Sequence, residues 1–292
     1  MRNCFTFCLL TLSLFAGDLE TALQQRIAQG PGKVFLAAKH LKAGTTVEIQ
    51  GNEKVRTAST IKLPVLVEIY AQAQAGKLKL NEKLLMREAD MVSGSGVLRE
   101  LGPGVELPLL GVANLMIVVS DNTATNMLIE RISADAVNAR MDSLGLPATR
   151  LMRKVRGDGT QLKAAQGWSK AGLLEANQKY GLGSSTSMEM VRLLELIETN
   201  KIPGAKDILA TLKRQQYNDG IARKIPSTLT VANKTGALDH LRSDVAIVYG
   251  KSGPIAIAIT VEDIPSIDYG EDNPGLHLIA DLAKIIVDHL DK

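Results

Sequence analysis

Aromatic side chains are scarce in this 292-residue chain, at 3% of residues against 45% apolar overall. Its core must therefore be built from Leu, Ile, Val, Ala and Met. Cysteine is scarcer still: Cys4 and Cys8 are the two present, both in the first sixteen residues. A chain cut after that segment has none. This excludes disulfides, a cysteine nucleophile and thiolate metal sites. Charge of one sign is nowhere concentrated. A net charge of +3, with 22% charged residues and no lysine/arginine block, makes no case for nucleic acid. Beyond the first segment no apolar run is long enough to span a bilayer. The four histidines, His40, His240, His277 and His289, show no His-x-x-x-His spacing and no Glu partner, so no metal is expected. No other cofactor is called for, and a monomer is expected.

What is present begins with MRNCFTFCLLTLSLFAGD. Arg2 precedes an apolar run from Phe5 to Phe15, and Ala16 precedes Gly17 and Asp18. The order is that of a secretory signal peptide over residues 1–16, cleaved after Ala16. Leu14 is bulky for the site two residues before the cut. Both cysteines come before or inside the apolar run, which rules out a lipidated leader. The expected location is exported, either periplasmic or secreted.

Helical periodicity runs from Leu19 to Gly30, where GPG ends it. KVFLAAKHL and TTVEIQ are β-type runs split by KAG, a hairpin signal. A helix follows Ser59 and reaches about Ala75, with Pro64 near its start, where a missing N–H costs little. The middle of the chain is helical, apart from a weakly periodic stretch, Arg153 to Ser185. After a helix from Ala205 to Gln216 come three β-type runs, TLTVANKTG, SDVAIVYG and IAIAITVED. A closing helix spans Leu276 to Leu290. The reading is α/β (α+β): an antiparallel sheet joining both chain ends, flanked by N- and C-terminal helices, with an inserted all-helical domain. The sheet domain takes 17–58 and 205–292, and the helical domain 59–204.

Three short strings carry the chemistry. STIK places Ser59 at a helix N-terminus and Lys62 one turn on, on the same face. A serine hydroxyl needs a neighbour to take its proton, and a lysine can do so when burial or nearby positive charge lowers its pKa. The helix N-terminus also aims N–H groups at a developing oxyanion. Taken alone, the string occurs roughly once per chain of this size by chance, and an ordinary N-cap with a surface lysine explains it. SDN, Ser120 to Asn122, opens another helix, where all three residue types are preferred caps. Its functional reading gives Ser120 a proton shuttle and Asn122 a substrate amide. KTG, Lys234 to Gly236, closes a strand. There Lys234 and Thr235 can face a carboxylate along an accessible edge, Gly236 permits close approach, and the Ala237 N–H points into the site.

Ser-x-x-Lys, Ser-Asp-Asn and Lys-Thr-Gly in this order resemble the motif set of the class A β-lactamases and the penicillin-recognising serine enzymes. The flanks TASTIKLPVLVEIY, MIVVSDNTATNMLIERI and VANKTGAL are similar too, and the layout fits almost the whole mature chain. The resemblance implies the β-lactamase/penicillin-binding fold and a small-molecule substrate, a β-lactam or a peptidoglycan-like compound. It implies that Ser59 attacks the carbonyl and becomes acylated, with Lys62 helping to take its proton. Ser120, assisted by Lys234, delivers a proton to the leaving nitrogen. Asn122 binds the side-chain amide, and Lys234 and Thr235 bind the carboxylate. The N–H groups of Ser59 and Ala237 form the oxyanion hole. An arginine supports the carboxylate, the candidates being Arg223 in DGIARKIP and Arg242 in LDHLRSD.

The sequence departs from that family in one place. Class A enzymes carry a Glu-x-x-x-Asn loop whose glutamate activates the deacylating water. Here the register from TRL puts Lys154 and Val155 where the glutamate is expected. Asp158 and Glu175 are carboxylates of the same loop, and neither reproduces the spacing. Without a positioned base the acyl-enzyme is long-lived, as in a penicillin-binding protein. The resemblance as a whole implies an exported serine hydrolase that hydrolyses β-lactams through a Ser59 acyl-enzyme; a related D-Ala-D-Ala peptidase or esterase, or a slowly deacylating penicillin-binding protein lacking the loop glutamate, is the alternative. Trp168 is expected to pack the loop down. SGSGVL, Ser93 to Leu98, is expected to line a pocket wall without the aromatic often found there.

Overall fold

The computed structural model describes residues 5–157 and 167–292, with side chains from Gly17 onward. Asp158 and the proposed cleavage after Ala16 lie outside the described side chains. A first helix, α1 (Phe5–Ala28), ends before the turn Gly30–Gly32. Gly32 has φ +72°, and a Cβ there would meet Glu262 O at 2.0 Å, so only glycine fits this entry to the sheet.

Five strands form one antiparallel sheet: β1 (Lys33–His40), β2 (Thr46–Ile49), β3 (Thr230–Leu238), β4 (Leu241–Tyr249) and β5 (Pro254–Glu262). Their order is β2-β1-β5-β4-β3, so the two ends of the chain meet where β1 pairs with β5, Lys33 opposite Glu262 and His40 opposite Ile255. Asp239 and His240 alone join β3 to β4, which pairs Leu238 with Leu241 and Thr235 with Asp244. Strands β4 and β5 are buried on both faces along nearly their whole length. That explains the apolar runs VAIV in β4 and IAIAI in β5, while the first half of β4 buries Arg242, Ser243 and Asp244.

Seven further helices of eight residues or more complete the frame among the described residues: α2 (Lys62–Gln74), α3 (Leu109–Val118), α4 (Asn122–Ile132), α5 (Ala134–Ser143), α6 (Ser187–Glu198), α7 (Ala205–Leu212) and α8 (Pro274–Leu290). One face of the sheet meets α1 and α8, with Leu23, Ile257, Ile259, Leu278, Ile279 and Ile286 fully buried between them. Helix α8 begins where the sequence dictates: Asn273 accepts the Gly275 N–H at 2.8 Å, and Pro274 takes the first position, where no N–H is needed. The other face carries α6, whose Leu193 and Ile197 share a core with Ala37, Ala256 and Ala258. Alanines on that face let the helix come close. Helix α2 is buried along most of its length among α3, α4 and α5. The stretch before it enters through a small sheet in which Gly183–Ser185 pairs with Val55–Arg56 on one side and Arg150–Leu151 on the other. Among the described residues, no helix is long and apolar enough to cross a membrane.

Candidate active site

Ser59 sits in a short 3-10 turn, Ala58–Ile61, that feeds directly into α2. Ala58 holds φ +48°, a left-handed backbone that an alanine adopts only when its surroundings impose it. The surroundings are visible. The edge strand β3 runs past this turn, and a Cβ on Gly236 would lie 2.8 Å from Thr57 O and 3.0 Å from Ser59 N. Glycine is what lets the KTG strand reach the serine.

Lys62 opens α2 and is fully buried. Its Nζ donates to Ser120 O at 2.7 Å, to Asn122 Oδ1 at 2.9 Å and contacts Ser120 Oγ at 3.1 Å. Ser120 also has a positive φ, +53°, in the turn between α3 and α4. Asp121 explains how that turn is held. Its Oδ1 caps α4 by accepting the Ala124 N–H at 2.8 Å, and its Oδ2 accepts the N–H groups of Val97 and Leu98, both at 2.7 Å. One buried carboxylate thus fixes both the SDN turn and the SGSGVL loop. Asn122 is tied to the same loop through Ser93 O (3.0 Å) and Ser95 O (3.0 Å). The middle residue of SDN is the cap, which leaves its two neighbours for the site.

Lys234, also fully buried, reaches Ser120 Oγ from β3 at 3.0 Å and donates to Thr235 O at 2.8 Å. The Ser120 hydroxyl therefore lies between two lysine nitrogens. Burial, and then the charge of Lys234, hold the Lys62 ammonium well below the usual lysine range, against a smaller opposing pull from Asp121. Burial lowers Lys234 to about 7, against the opposing charge of Asp244. Asp244, buried across the β3–β4 pair, is itself raised to about 7 by burial. A neutral lysine can accept a hydroxyl proton and a charged one can return it. Two lysines poised below their ordinary range thus lie one hydroxyl apart, an arrangement able to pass a proton.

Ser59 stands at the divide between two cavities. One, of about 490 Å³, is lined by Ser59, Ser120, Tyr217, Thr235, Ala237 and Arg242, with Gly236 at its back. The other, of about 540 Å³, shares Ser59 and Ala237 and adds Asn122, Arg153, Val155 and Arg156. The structure thus gathers Ser59, Lys62, Ser120, Asn122, Lys234, Thr235, Gly236 and Ala237 around one point.

The remaining candidates part company. Arg242 is in the wall of the first cavity. Its Nη1 donates to the carbonyls of Leu238 and Leu241, both at 2.6 Å, and its guanidinium stacks 4.9 Å from the Tyr269 ring centre. Arg223 lines neither cavity. Ile221 anchors its 3-10 turn in the core, and Arg223 turns outward to Glu271 O and Asp272. Glu175 begins a short exposed helix, Glu175–Gln178, and lines neither cavity. Asp158 falls outside the described residues. The SGSGVL loop contributes Gly94 and Ser95 to both cavities. Trp168 stacks beneath Arg153 and Arg156, 5.8 and 5.3 Å from its ring centre. His240 lines the second cavity, with its Nδ1 2.7 Å from Ile264 O.

Two features escaped sequence reasoning. Asn126 clamps Val155 from both sides, accepting its N–H at 2.8 Å and donating to its carbonyl at 3.1 Å. The signal was present, since Asn126 lies one turn beyond Asn122 on the same helical face. The second is His40, Ser252 and Asp291, which meet far along the chain. The ring does not serve as a base there: His40 Nδ1 accepts the Ala43 N–H at 2.9 Å, leaving the Nε2 proton for Ser252 Oγ at 3.0 Å, and Asp291 contacts the serine rather than the ring. This trio ties the end of α8 to the β4–β5 turn. Among the described residues, no cluster of His, Cys, Asp or Glu is arranged to hold a metal.

The family model described as the beta-lactamase enzyme family matches residues 18–290. The chain belongs to the beta-lactamase enzyme family. A beta-lactamase of Rhodobacter capsulatus is 29% identical over 256 residues, covering 85% of this chain and 82% of that one. A solved beta-lactamase of Sphaerobacter thermophilus superposes with a TM-score of 0.79 at 27% identity, covering 93% of this chain and 96% of that chain. A variant of PBP-A, solved as an acyl-enzyme complex with penicillin G, gives 0.79 at 25% identity over 93% of this chain and 96% of that chain. As a beta-lactamase family member the protein is a hydrolase with a small-molecule substrate, and the antiparallel sheet with its helical layers is the beta-lactamase/penicillin-binding fold.

Proposed function

We propose that the protein reacts with β-lactams through an acyl-enzyme on Ser59 and releases the product slowly. The observation that carries this reading is the Ser120 hydroxyl held between the Lys62 and Lys234 nitrogens, in a cavity wall it shares with Ser59. Lys62 takes the Ser59 proton as Oγ bonds to the lactam carbonyl carbon. The lactam C–N bond breaks, and Ser120, resupplied by the lysines, gives the ring nitrogen a proton. The Ser59 and Ala237 N–H groups face the oxyanion. Lys234 and Thr235 hold the ring carboxylate, with Arg242 rather than Arg223 adding positive charge to that wall. Asn122 meets the acyl amide.

Slow release has its own support. Of the two residues the motif register puts in place of the water-activating glutamate, Lys154 turns to Glu130 and Val155 lines the cavity that Ser59 shares, clamped by Asn126, and valine takes no proton. The similarity to PBP-A, whose variant is solved as a penicillin G acyl-enzyme, points the same way. Export fits the leader-like first sixteen residues, and a monomer remains the working assembly. A chromogenic cephalosporin tests the reading. We expect a burst of about one product per protein followed by a slow phase, absent from Ser59→Ala. No burst, or a burst that survives the substitution, would defeat it.

A further inference from the structure

The second cavity carries more positive charge than the reaction above uses. Arg153, Arg156 and Lys179 all line it. Arg56 lines it too, but pairs with Glu262 at 3.2 Å. Among the described residues, neither Arg153, Arg156 nor Lys179 has a carboxylate partner. Among the described residues Asp239 is the one carboxylate in the lining, and its Oδ1 accepts the Tyr269 hydroxyl at 2.8 Å.

The two arginines are also held in place. Both lie over Trp168, the chain's single tryptophan, and Arg153 donates to Lys154 O at 2.9 Å. The bridge between Arg153 and Trp168 closes the base of this loop. Arg156 Nε is buried and has no hydrogen-bond partner. A buried guanidinium donor left unmatched is unfavourable until an acceptor arrives. Burial, and then the like charge of Arg156, brings Arg153 down to about 10, so Arg153 stays charged at neutral pH beside a second guanidinium that repels it. A bound anion relieves both costs. Two planar guanidinia fixed on a ring suit a planar carboxylate.

The placement says which part of a substrate would supply it. Thr235 and Arg242 line the other cavity, with Lys234 reaching Ser120 in its wall, and the ring carboxylate is assigned there. Asn122, assigned the acyl amide, faces this one. We propose that Arg153, Arg156 and Lys179 form an anion subsite selecting substrates whose acyl substituent carries its own carboxylate. This inference rests on the function proposed above.

The test compares benzylpenicillin with α-carboxybenzylpenicillin, which differ by one carboxylate on the acyl side. The quantity read is the ratio of their second-order acylation constants at Ser59. In the wild type this ratio favours the dianion and falls as salt is raised. In an Arg156→Gln, Lys179→Gln double variant the ratio drops about tenfold, as expected for losing charge-assisted hydrogen bonds, and Arg156→Lys, which keeps the charge but not the planar fork, retains only part of it. A ratio unchanged by the double variant overturns the subsite. Failure of both penicillins to acylate Ser59 overturns the underlying reading instead. Titrating Ser59→Ala with the dianion and following Trp168 fluorescence then judges the subsite alone: a saturable change lost in Arg156→Gln upholds it, and no change refutes it.

Discussion

Replacing Gly236 by alanine probes the contact on which the site's geometry depends. The added Cβ would sit 2.8 Å from Thr57 O, 3.0 Å from Ser59 N and 3.1 Å from Ala58 Cβ, about half an ångström short of ordinary contact. None of these atoms is the tip of a flexible side chain. Ala58 is already in a left-handed conformation, so the turn has little room to yield. The edge strand β3 must therefore retreat from the Ser59 turn by a few tenths of an ångström, carrying Lys234 and Ala237 with it. A 1 Å displacement of reacting groups costs on the order of a hundredfold in rate, so about half that displacement costs about tenfold, or about 1.4 kcal/mol of barrier. Because β3 is an edge strand, the fold can absorb the shift. Stopped-flow acylation by a chromogenic cephalosporin measures the rate, and a thermal melt establishes that the variant is folded. A folded Gly236→Ala protein acylated at the wild-type rate would refute the argument that this contact positions the oxyanion hole.

Val155→Glu places a carboxylate on the clamped backbone beside Ser59. Decay of the acyl-enzyme, followed by intact mass, should accelerate roughly a hundredfold, the lower range for a positioned general base. An unchanged lifetime would mean that the missing glutamate is not what limits release. Asp244→Asn removes the charge that raises Lys234 against its burial. The protonated Lys234 that holds the carboxylate, already waning as pH rises through about 7, should wane at still lower pH. The alkaline limb of the acylation profile then moves to lower pH, and a shift upward would contradict the sign. Ile257, fully buried between β5 and the α1/α8 layer, tests the fold alone. Ile257→Ala should lower unfolding stability by about 3 kcal/mol in denaturant melts, and a loss below about 1 kcal/mol would indicate a site able to collapse.

The sheet and its closing helix were legible because their patterns were local. Alternation and apolar runs mark β1, β4 and β5, and an apolar stripe marks α8 from Leu276 on, two residues after its start at Pro274. The three motifs were legible for the same reason, each being a few residues on one element. What stayed hidden depends on residues that meet only through the fold. Arg223 and Arg242 look alike in sequence; the two-residue β3–β4 turn carries Arg242 back beside Ala237, while the Ile221 anchor turns Arg223 away. The cationic wall is built by Arg153 and Arg156 from one end of the loop and Lys179 from the other, brought together by the pairing of Arg150–Leu151 with Gly183–Ser185. Nothing in a weakly periodic stretch announces that closure. Asp121 looked like any helix cap, and it is one; its second oxygen, fixing the SGSGVL loop, shows only in three dimensions.

The most direct test of the central claim is intact-mass spectrometry of the protein mixed with benzylpenicillin, with the modified peptide mapped. The account predicts one penicilloyl group per chain, on Ser59, persisting long after free drug is removed. No adduct, or one found on another residue and retained in Ser59→Ala, would contradict it.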